Sequence, residues 1–210
     1  MQFLFNMLFK IYKRLYKAYG PQKWWPVTSK NKQFEVIIGA ILTQNTSWKN
    51  VEKAIANLKK AGLIKAEKIK AVNVKKLAKL IKPSGYFNQK AERLKTAAGF
   101  FLENKTPSRQ ELLDIKGIGP ETADSILLYA LGRPFFVIDM YTKRIMSRIG
   151  LCDNKAGYDE LQQMFHAQLP KDAEMFNEYH ALLVELAKQH CMKKPSCNGC
   201  PVAGLCSQKI

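Results

Sequence analysis

Four cysteines stand near the end of the chain, Cys191, Cys197, Cys200 and Cys206, with the spacing C-x5-C-x2-C-x5-C. Four thiolates so close together are a metal-binding set, and zinc and a 4Fe-4S cluster both accept four sulfurs. The spacing alone leaves both open. The fifth cysteine, Cys152, lies outside the set and reads as a small buried hydrophobe. A second group is the run Leu113-Asp114-Ile115-Lys116-Gly117-Ile118-Gly119-Pro120-Glu121-Thr122-Ala123. Two glycines two apart leave backbone N–H groups unobstructed where a helix begins, and an anion settles there. Lys116, Gly117, Ile118, Gly119 and Thr122 are therefore candidate phosphate-binding residues, with Ile115 and Ile118 tucked beneath the turn. The plainer reading is an ordinary connection between two helices. Asp139 follows an apolar stretch and precedes a helix. It could cap that helix, or act as a catalytic carboxylate. Trp24-Trp25-Pro26 offers two adjacent indoles, for a core or for a pocket.

The elements that must hold these residues read as helices. Leu4, Leu8, Ile11 and Leu15 recur at helical spacing between Lys10, Lys13, Arg14 and Lys17, which predicts an amphipathic helix docked on a core. Phe34 to Leu42 is almost wholly apolar, and its length and surroundings favour a buried helix over a strand. Asn45, Thr46 and Ser47 are cap-type residues ahead of the stripe Val51, Ala54, Ile55 and Leu58. Pro83-Ser84-Gly85 reads as a turn. Pro120 suits the first turn of a helix, whose buried face is Ala123, Ile126, Leu127 and Ala130. Further helices are marked by Tyr158, Leu161 and Phe165, and by Phe176, Tyr179, Leu182, Leu183 and Leu186. No strong strand, repeat or low-complexity segment stands out.

The 210 residues are 47% hydrophobic, which allows a packed core, and carry 34 Lys and Arg against 17 Asp and Glu, a net charge of +17. Such an excess points to a polyanion, and nucleic acid is the obvious one. The apolar start, Met1 to Phe9, has no basic residue before it and no small-residue cleavage site after it, so no secretory signal is read there. No run of 18 apolar residues is present, so no membrane span is expected. These features predict an intracellular protein of the cytoplasm or nucleoid, with no membrane partner and monomeric, and they favour a metal site over a disulfide framework.

With these motifs the chain resembles the endonuclease III, or helix-hairpin-helix, superfamily of DNA glycosylases, from Phe34 to Cys206. That family has a hairpin of the form hydrophobic-x-Gly-x-Gly and an aspartate further on, here Asp139 in Phe136-Val137-Ile138-Asp139-Met140-Tyr141. The resemblance implies an all-α, two-lobed fold with a C-terminal four-cysteine iron–sulfur loop. A helical barrel domain with the hairpin would span 28–133, and 1–27 plus 134–210 would form the cluster domain. It implies Asp139 as the catalytic carboxylate and double-stranded DNA with a damaged base as the partner. It also implies a 4Fe-4S cluster on Cys191, Cys197, Cys200 and Cys206, although the family's first gap is one residue longer. Asn45 aligns with the residue that fills the gap in the duplex, and Gln44 is the next candidate for that wedge.

The bifunctional members carry a lysine two positions after the second hairpin glycine, whose amine forms a Schiff base and leads to strand cleavage. Here that residue is Glu121. Trp24-Trp25-Pro26, Leu42-Thr43-Gln44-Asn45-Thr46 and Pro83-Ser84-Gly85-Tyr86-Phe87-Asn88-Gln89-Lys90-Ala91 resemble the 3-methyladenine DNA glycosylase III branch. There the Trp-Trp-Pro segment lines the base pocket, so Trp24, Trp25, Pro26 and Glu121 are the pocket candidates. The expectation is a monofunctional glycosylase for alkylated purines. A bifunctional enzyme for oxidised pyrimidines and a non-catalytic nucleic-acid binding module are the rivals.

Overall fold

The structure, a computed structural model, describes residues 2–207, with the side chains of residues 2–6, Leu4 among them, outside the description. All regular structure among the described residues is helical. In chain order the α-helices are α1 (Gln2–Tyr19), α2 (Lys32–Leu42), α3 (Trp48–Lys60), α4 (Ala66–Ala71), α5 (Val74–Leu80) and α6 (Phe87–Glu103). They continue with α7 (Arg109–Leu113), α8 (Pro120–Ser125), α9 (Met140–Ile149), α10 (Tyr158–Gln168) and α11 (Ala173–Gln189). The chain forms two compact units, one of Met1–Trp24 with Gly132–Ile210 and one of Trp25–Leu131. No described helix is long and apolar enough to cross a membrane.

In the Trp25–Leu131 unit the apolar run is a helix, and every residue from Phe34 to Leu42 on α2 is buried. It is apolar on all sides because α3, α6, α8 and the turn after α8 surround it. Asn31 caps its start by accepting from the Phe34 N–H. Glu35 is the one acid on this buried helix. It pairs with Lys59 at 2.6 Å and accepts the Ser29 N–H at 2.8 Å. Burial acts to raise this carboxyl, but the Lys59 ammonium and the Ser29 donors outweigh it and hold it below the usual range. The pairing anchors residues 28 and 29, just after Trp25-Pro26.

Residues Ile126–Ala130 form a π-helical turn where a continuous helix is expected, and Ala130 is only half-buried instead of facing the core. The wider turn rotates the helix face, which brings Tyr129 toward Trp25. The expected turn at Pro83-Ser84-Gly85 is a 3₁₀ turn, Lys82–Ser84, that ends on Gly85 at φ +67°.

In the other unit Leu8, Ile11 and Leu15 are fully buried, and α1 packs on α10 and α11. Among the described residues its core holds the rings of Phe136, Phe165, Phe176 and Tyr179. Phe136 stacks on Phe165 with centroids 3.8 Å apart, and Phe176 and Tyr179 meet Phe136 edge-on. The Tyr179 hydroxyl donates to the Leu8 carbonyl at 2.8 Å. Residues 132–139 are non-helical, and Phe136, Val137 and Ile138 are buried. A buried backbone without a ladder must find other partners, and α10 supplies them. His166 Nε2 accepts the Phe136 N–H at 2.9 Å, and Gln162 Nε2 donates to the Phe136 carbonyl at 2.8 Å. This lacing holds the segment that delivers Asp139.

Candidate functional site

The glycine hairpin joins α7 to α8. Ser108 and Glu111 form a capping box that starts α7, and Gly119 caps α8 with Pro120 as its first residue. Gly117 has φ +88°, a region that favours glycine, and a Cβ there would collide with Arg93 Nε. Ile115 and Ile118 are buried under the turn, while Lys116 and Glu121 are exposed. Thr122 is buried, and its hydroxyl accepts from Gln44 Nε2 at 3.0 Å.

The same Gln44 amide donates to the Gly117 carbonyl at 3.0 Å, and Gln44 Oε1 accepts from Arg93. Asn45 is exposed, with φ +52°. The loop after α2 is held from below by Lys90, which is almost fully buried. Its Nζ donates to the Leu42 carbonyl at 2.8 Å and to the Ser84 carbonyl at 2.7 Å. Burial, then the Arg93 charge, lowers this amine to about 8.

Trp25 is half-buried. It meets Trp48 edge-on at 5.0 Å and Tyr129 at 5.2 Å with 50° between the planes. Gly39 lies against its ring, since a Cβ there would fall 2.8 Å from Cζ2. Trp24 is half-buried and Pro26 exposed.

Asp139 caps α9. Its Oδ1 accepts the Thr142 N–H at 2.7 Å, and its Oδ2 lies 3.7 Å from Nε2 of His180 on α11. His180 is buried. Burial lowers its imidazole and the Asp139 charge only partly opposes this, so the ring is neutral at pH 7. The contact is therefore between a carboxylate and a neutral ring.

At the far end of α9, Cys191, Cys197, Cys200 and Cys206 line one hollow together with Ile149 and Leu186. Burial pushes the Cys200 thiol up, the Val202 N–H opposes this, and the other three thiols push it further. The four thiols thus line one hollow, with Cys200 within electrostatic reach of the other three. Among the described residues no three His, Cys, Asp or Glu side chains gather as they would on a single ion. Cys152 is half-buried, and burial raises its thiol.

Of the residues singled out by sequence, Gln44 joins the hairpin through Gly117 and Thr122, and the cysteines share a hollow. Trp25 is grouped with Trp48 and Tyr129, which sequence reasoning passed over. An aromatic residue just after the cap run Asn45-Thr46-Ser47 was the available signal for Trp48. Arg93, Lys90 and His180 were also missed. His180 hides in the apolar stripe of α11, and each of the two bases has a partner more than 45 residues away, Leu42 for Lys90 and Gln44 for Arg93.

A glycine hairpin between two short helices, with all regular structure among the described residues helical, is the arrangement of the helix-hairpin-helix class. Residues 38–171 match the HhH-GPD superfamily of base excision DNA repair proteins, and the chain belongs to that superfamily, whose DNA glycosylases act in base excision repair. It is 51% identical to a Methanocaldococcus jannaschii protein provisionally assigned as a DNA repair glycosylase, over 98% of each chain. It is similar to the H. pylori 3-methyladenine DNA glycosylase bound to 1,N6-ethenoadenine, with 34% identity, a TM-score of 0.77, and 89% of this chain and 97% of that one covered. An endonuclease III in a non-covalent DNA complex shares the fold at a TM-score of 0.85 and 21% identity, covering 97% of this chain and 95% of that one.

Proposed function

We propose that the protein is a monofunctional glycosylase that removes alkylated purines from double-stranded DNA. The observation that carries this reading is Glu121. It lies exposed in the first turn of α8, at the position where the lyase members of the family need an amine. A carboxylate cannot form a Schiff base, so water is the nucleophile.

In this reading Lys116, Gly117, Ile118, Gly119 and Thr122 form the turn that receives a backbone phosphate at the start of α8. Asn45 or Gln44 fills the gap left by the extruded nucleotide. Trp25, with Trp24 and Pro26 beside it, presents an aromatic face to the base. A purine alkylated at N3 or N7 is cationic, so an indole attracts it by up to ~2 kcal/mol when desolvated, beyond stacking of about 1–3 kcal/mol. The H. pylori relative's ethenoadenine, an adenine with a fused ring, supports a pocket for an enlarged purine.

The chemistry follows from the charge. The C1′–N bond breaks and its electron pair neutralises the cationic base, so the leaving group needs no general acid. The Asp139 carboxylate stabilises the positive charge left on the sugar. It also accepts a proton as the water oxygen bonds to C1′. Neutral His180 leaves that carboxylate free of a competing cation.

The cysteine set fits a thiolate-bound group, and Cys191, Cys197, Cys200 and Cys206 would hold a 4Fe-4S cluster, with zinc the alternative. When bound, such a group supplies a covalent cross-link to a loop that has no disulfide among its described residues. Iron and sulfide in equal amounts would support the cluster, and one zinc without iron would replace it.

The reading is tested by incubating the protein with methylated duplex DNA and assaying bases and strands together. Free 3-methyladenine with strands intact until alkali treatment is expected. Nicking, with an adduct trapped by borohydride, would assign the protein to the lyase type. Tight binding without release of any base would make it a binding module.

A further inference from the structure

The loop between α2 and α3 is tied down on every side but one. Thr43 anchors its start, with both the N–H and the hydroxyl donating to the Gly39 carbonyl at 2.9 and 2.7 Å. Lys90 grips the Leu42 carbonyl just before it. Its far end is closed by the Thr46 N–H on the Thr43 carbonyl at 3.2 Å and by Asn50 Nδ2 on the Thr46 hydroxyl at 3.3 Å. Between these anchors two polar residues point in different directions. Asn45 is exposed in the left-handed region, at a strained φ of +52° for a residue that is not glycine. Gln44 spends both ends of its amide inside the unit.

The Gln44 contacts reach the hairpin at two points. One amide hydrogen goes to the Gly117 carbonyl, inside the turn, and the other to the Thr122 hydroxyl, in the helix that follows. Its oxygen accepts from Arg93, and the stem of Arg93 lies over Gly117, where a Cβ would be 2.8 Å from Cδ. Gln44, Arg93 and Gly117 thus form a closed set of contacts between α6, the hairpin and the loop after α2.

We infer that Gln44 is a brace that couples the loop carrying Asn45 to the glycine hairpin, backed by Arg93, and that insertion into the duplex falls to Asn45 alone. Gln44 is a positioning residue. It makes the hairpin and the inserting residue one body, so that seating a phosphate on the hairpin also sets the depth and angle of Asn45. The inference rests on the reading of the chain as a protein that extrudes a nucleotide. It does not depend on which base is removed.

The test uses a duplex with a tetrahydrofuran abasic analogue opposite 2-aminopurine, so that nothing has to be excised. Insertion at the gap unstacks the 2-aminopurine and raises its fluorescence, and anisotropy on the same duplex gives the affinity. Asn45→Ala is expected to remove the fluorescence rise with little loss of affinity. Gln44→Ala is expected to remove the rise and also to weaken binding about 5–30-fold, the scale of one or two lost hydrogen bonds. The double variant should show no less fluorescence than Asn45→Ala alone, because the brace acts through Asn45. Gln44→Glu, which loses both amide donors, should behave as Gln44→Ala. Should Gln44→Ala fail to fold, Arg93→Met carries the same expected pattern. A full fluorescence rise in Gln44→Ala would overturn the inference, and a residual rise in Asn45→Ala that the double variant loses would overturn it in favour of Gln44 as a second wedge. An unchanged rise in Asn45→Ala would overturn it by removing insertion at Asn45. Failure to release methylated purines, with this fluorescence pattern intact, would defeat only the substrate reading.

Discussion

Replacing Asp139 with asparagine separates the helix cap that this side chain makes from the catalytic task proposed for it. Its Oδ1 caps α9 by accepting the Thr142 N–H at 2.7 Å, while Oδ2 faces the neutral His180 ring at 3.7 Å. Asparagine keeps the capping oxygen and ranks with aspartate at this position, so the cap itself is nearly unchanged. The lost negative charge at the helix start costs about 0.3–1 kcal/mol, or roughly 1–4 °C in Tm for a chain of this size. The chemistry changes far more. An amide in place of the carboxylate cannot neutralise a sugar cation or accept a proton from water. Losing such a group costs about 10²–10³-fold in turnover. The expected result is therefore a folded protein with wild-type affinity for methylated duplex and single-turnover base release slowed by about that factor. Asp139→Ala supplies the control, because it also removes the cap, at a further cost of about 1 kcal/mol, but is no slower than the asparagine variant. Base release by Asp139→Asn within a few-fold of wild type would refute the catalytic role and leave Asp139 as a helix cap.

Three other perturbations have signs that the structure determines. Lys90 gives up its proton near pH 8 when folded but near 10.5 when unfolded, so from about pH 8 to 10.5 the unfolded chain binds more protons. Wild type should therefore gain stability over Lys90→Met as pH rises through that window, by ~3 kcal/mol at most. Parallel Tm-against-pH curves for the two proteins would show that the amine is not buried. Trp25→Ala removes the ring held between Gly39, Trp48 and Tyr129. Loss of about 1–3 kcal/mol of stacking should raise KM for methylated DNA by about 5- to 150-fold, and an unchanged KM would take Trp25 out of the pocket. Cys200→Ser removes one of the four sulfurs around the hollow. Metal analysis should show the purified variant depleted of iron, and full iron retention would mean that this set does not hold the cluster.

The parts legible in the sequence are those with local causes. Gly117 announces a turn because only glycine tolerates φ +88° with an arginine stem pressed on it. Asp139 reads as a cap because the helix it caps follows at once. Phe34–Leu42 reads as a buried helix because its neighbours do. The parts that stayed hidden have distant causes. Phe136–Ile138 has the apolar look of a strand, and its pairing is done by side chains of α10 rather than by another strand. No periodicity reports a ladder made of glutamine and histidine. Lys90 reads as a solvated charge within a run of polar residues, yet it is buried because two carbonyls, one of them 48 residues away, await a donor. The π-helical turn at Ile126–Ala130 carries no break in composition, so Tyr129 could not be assigned to the aromatic group from spacing alone.

Helix α9 gives a physical reason for the cysteine loop to matter at a distance from any sulfur chemistry. Asp139 caps its first turn, and its last turns are gripped by the loop. Arg144 Nε donates to the Cys191 carbonyl at 2.8 Å, and Arg148 donates to the Met192 and Lys193 carbonyls at 2.6 and 2.9 Å and to Cys191 Sγ at 3.4 Å. The Ser207 hydroxyl closes the end by donating to the Ile149 carbonyl at 2.8 Å. A helix exposes unsatisfied carbonyls at its C-terminus and unsatisfied N–H groups at its N-terminus, and here each end is closed by a different candidate site. The helix spans only ten residues, too few to be stable alone, so both ends and the buried face of Ile145, Met146 and Ile149 must hold it. Loosening the cysteine loop removes one of those supports and lets the helix fray toward Asp139. On the catalytic role proposed for Asp139, loosening the loop would therefore slow base release through this helix.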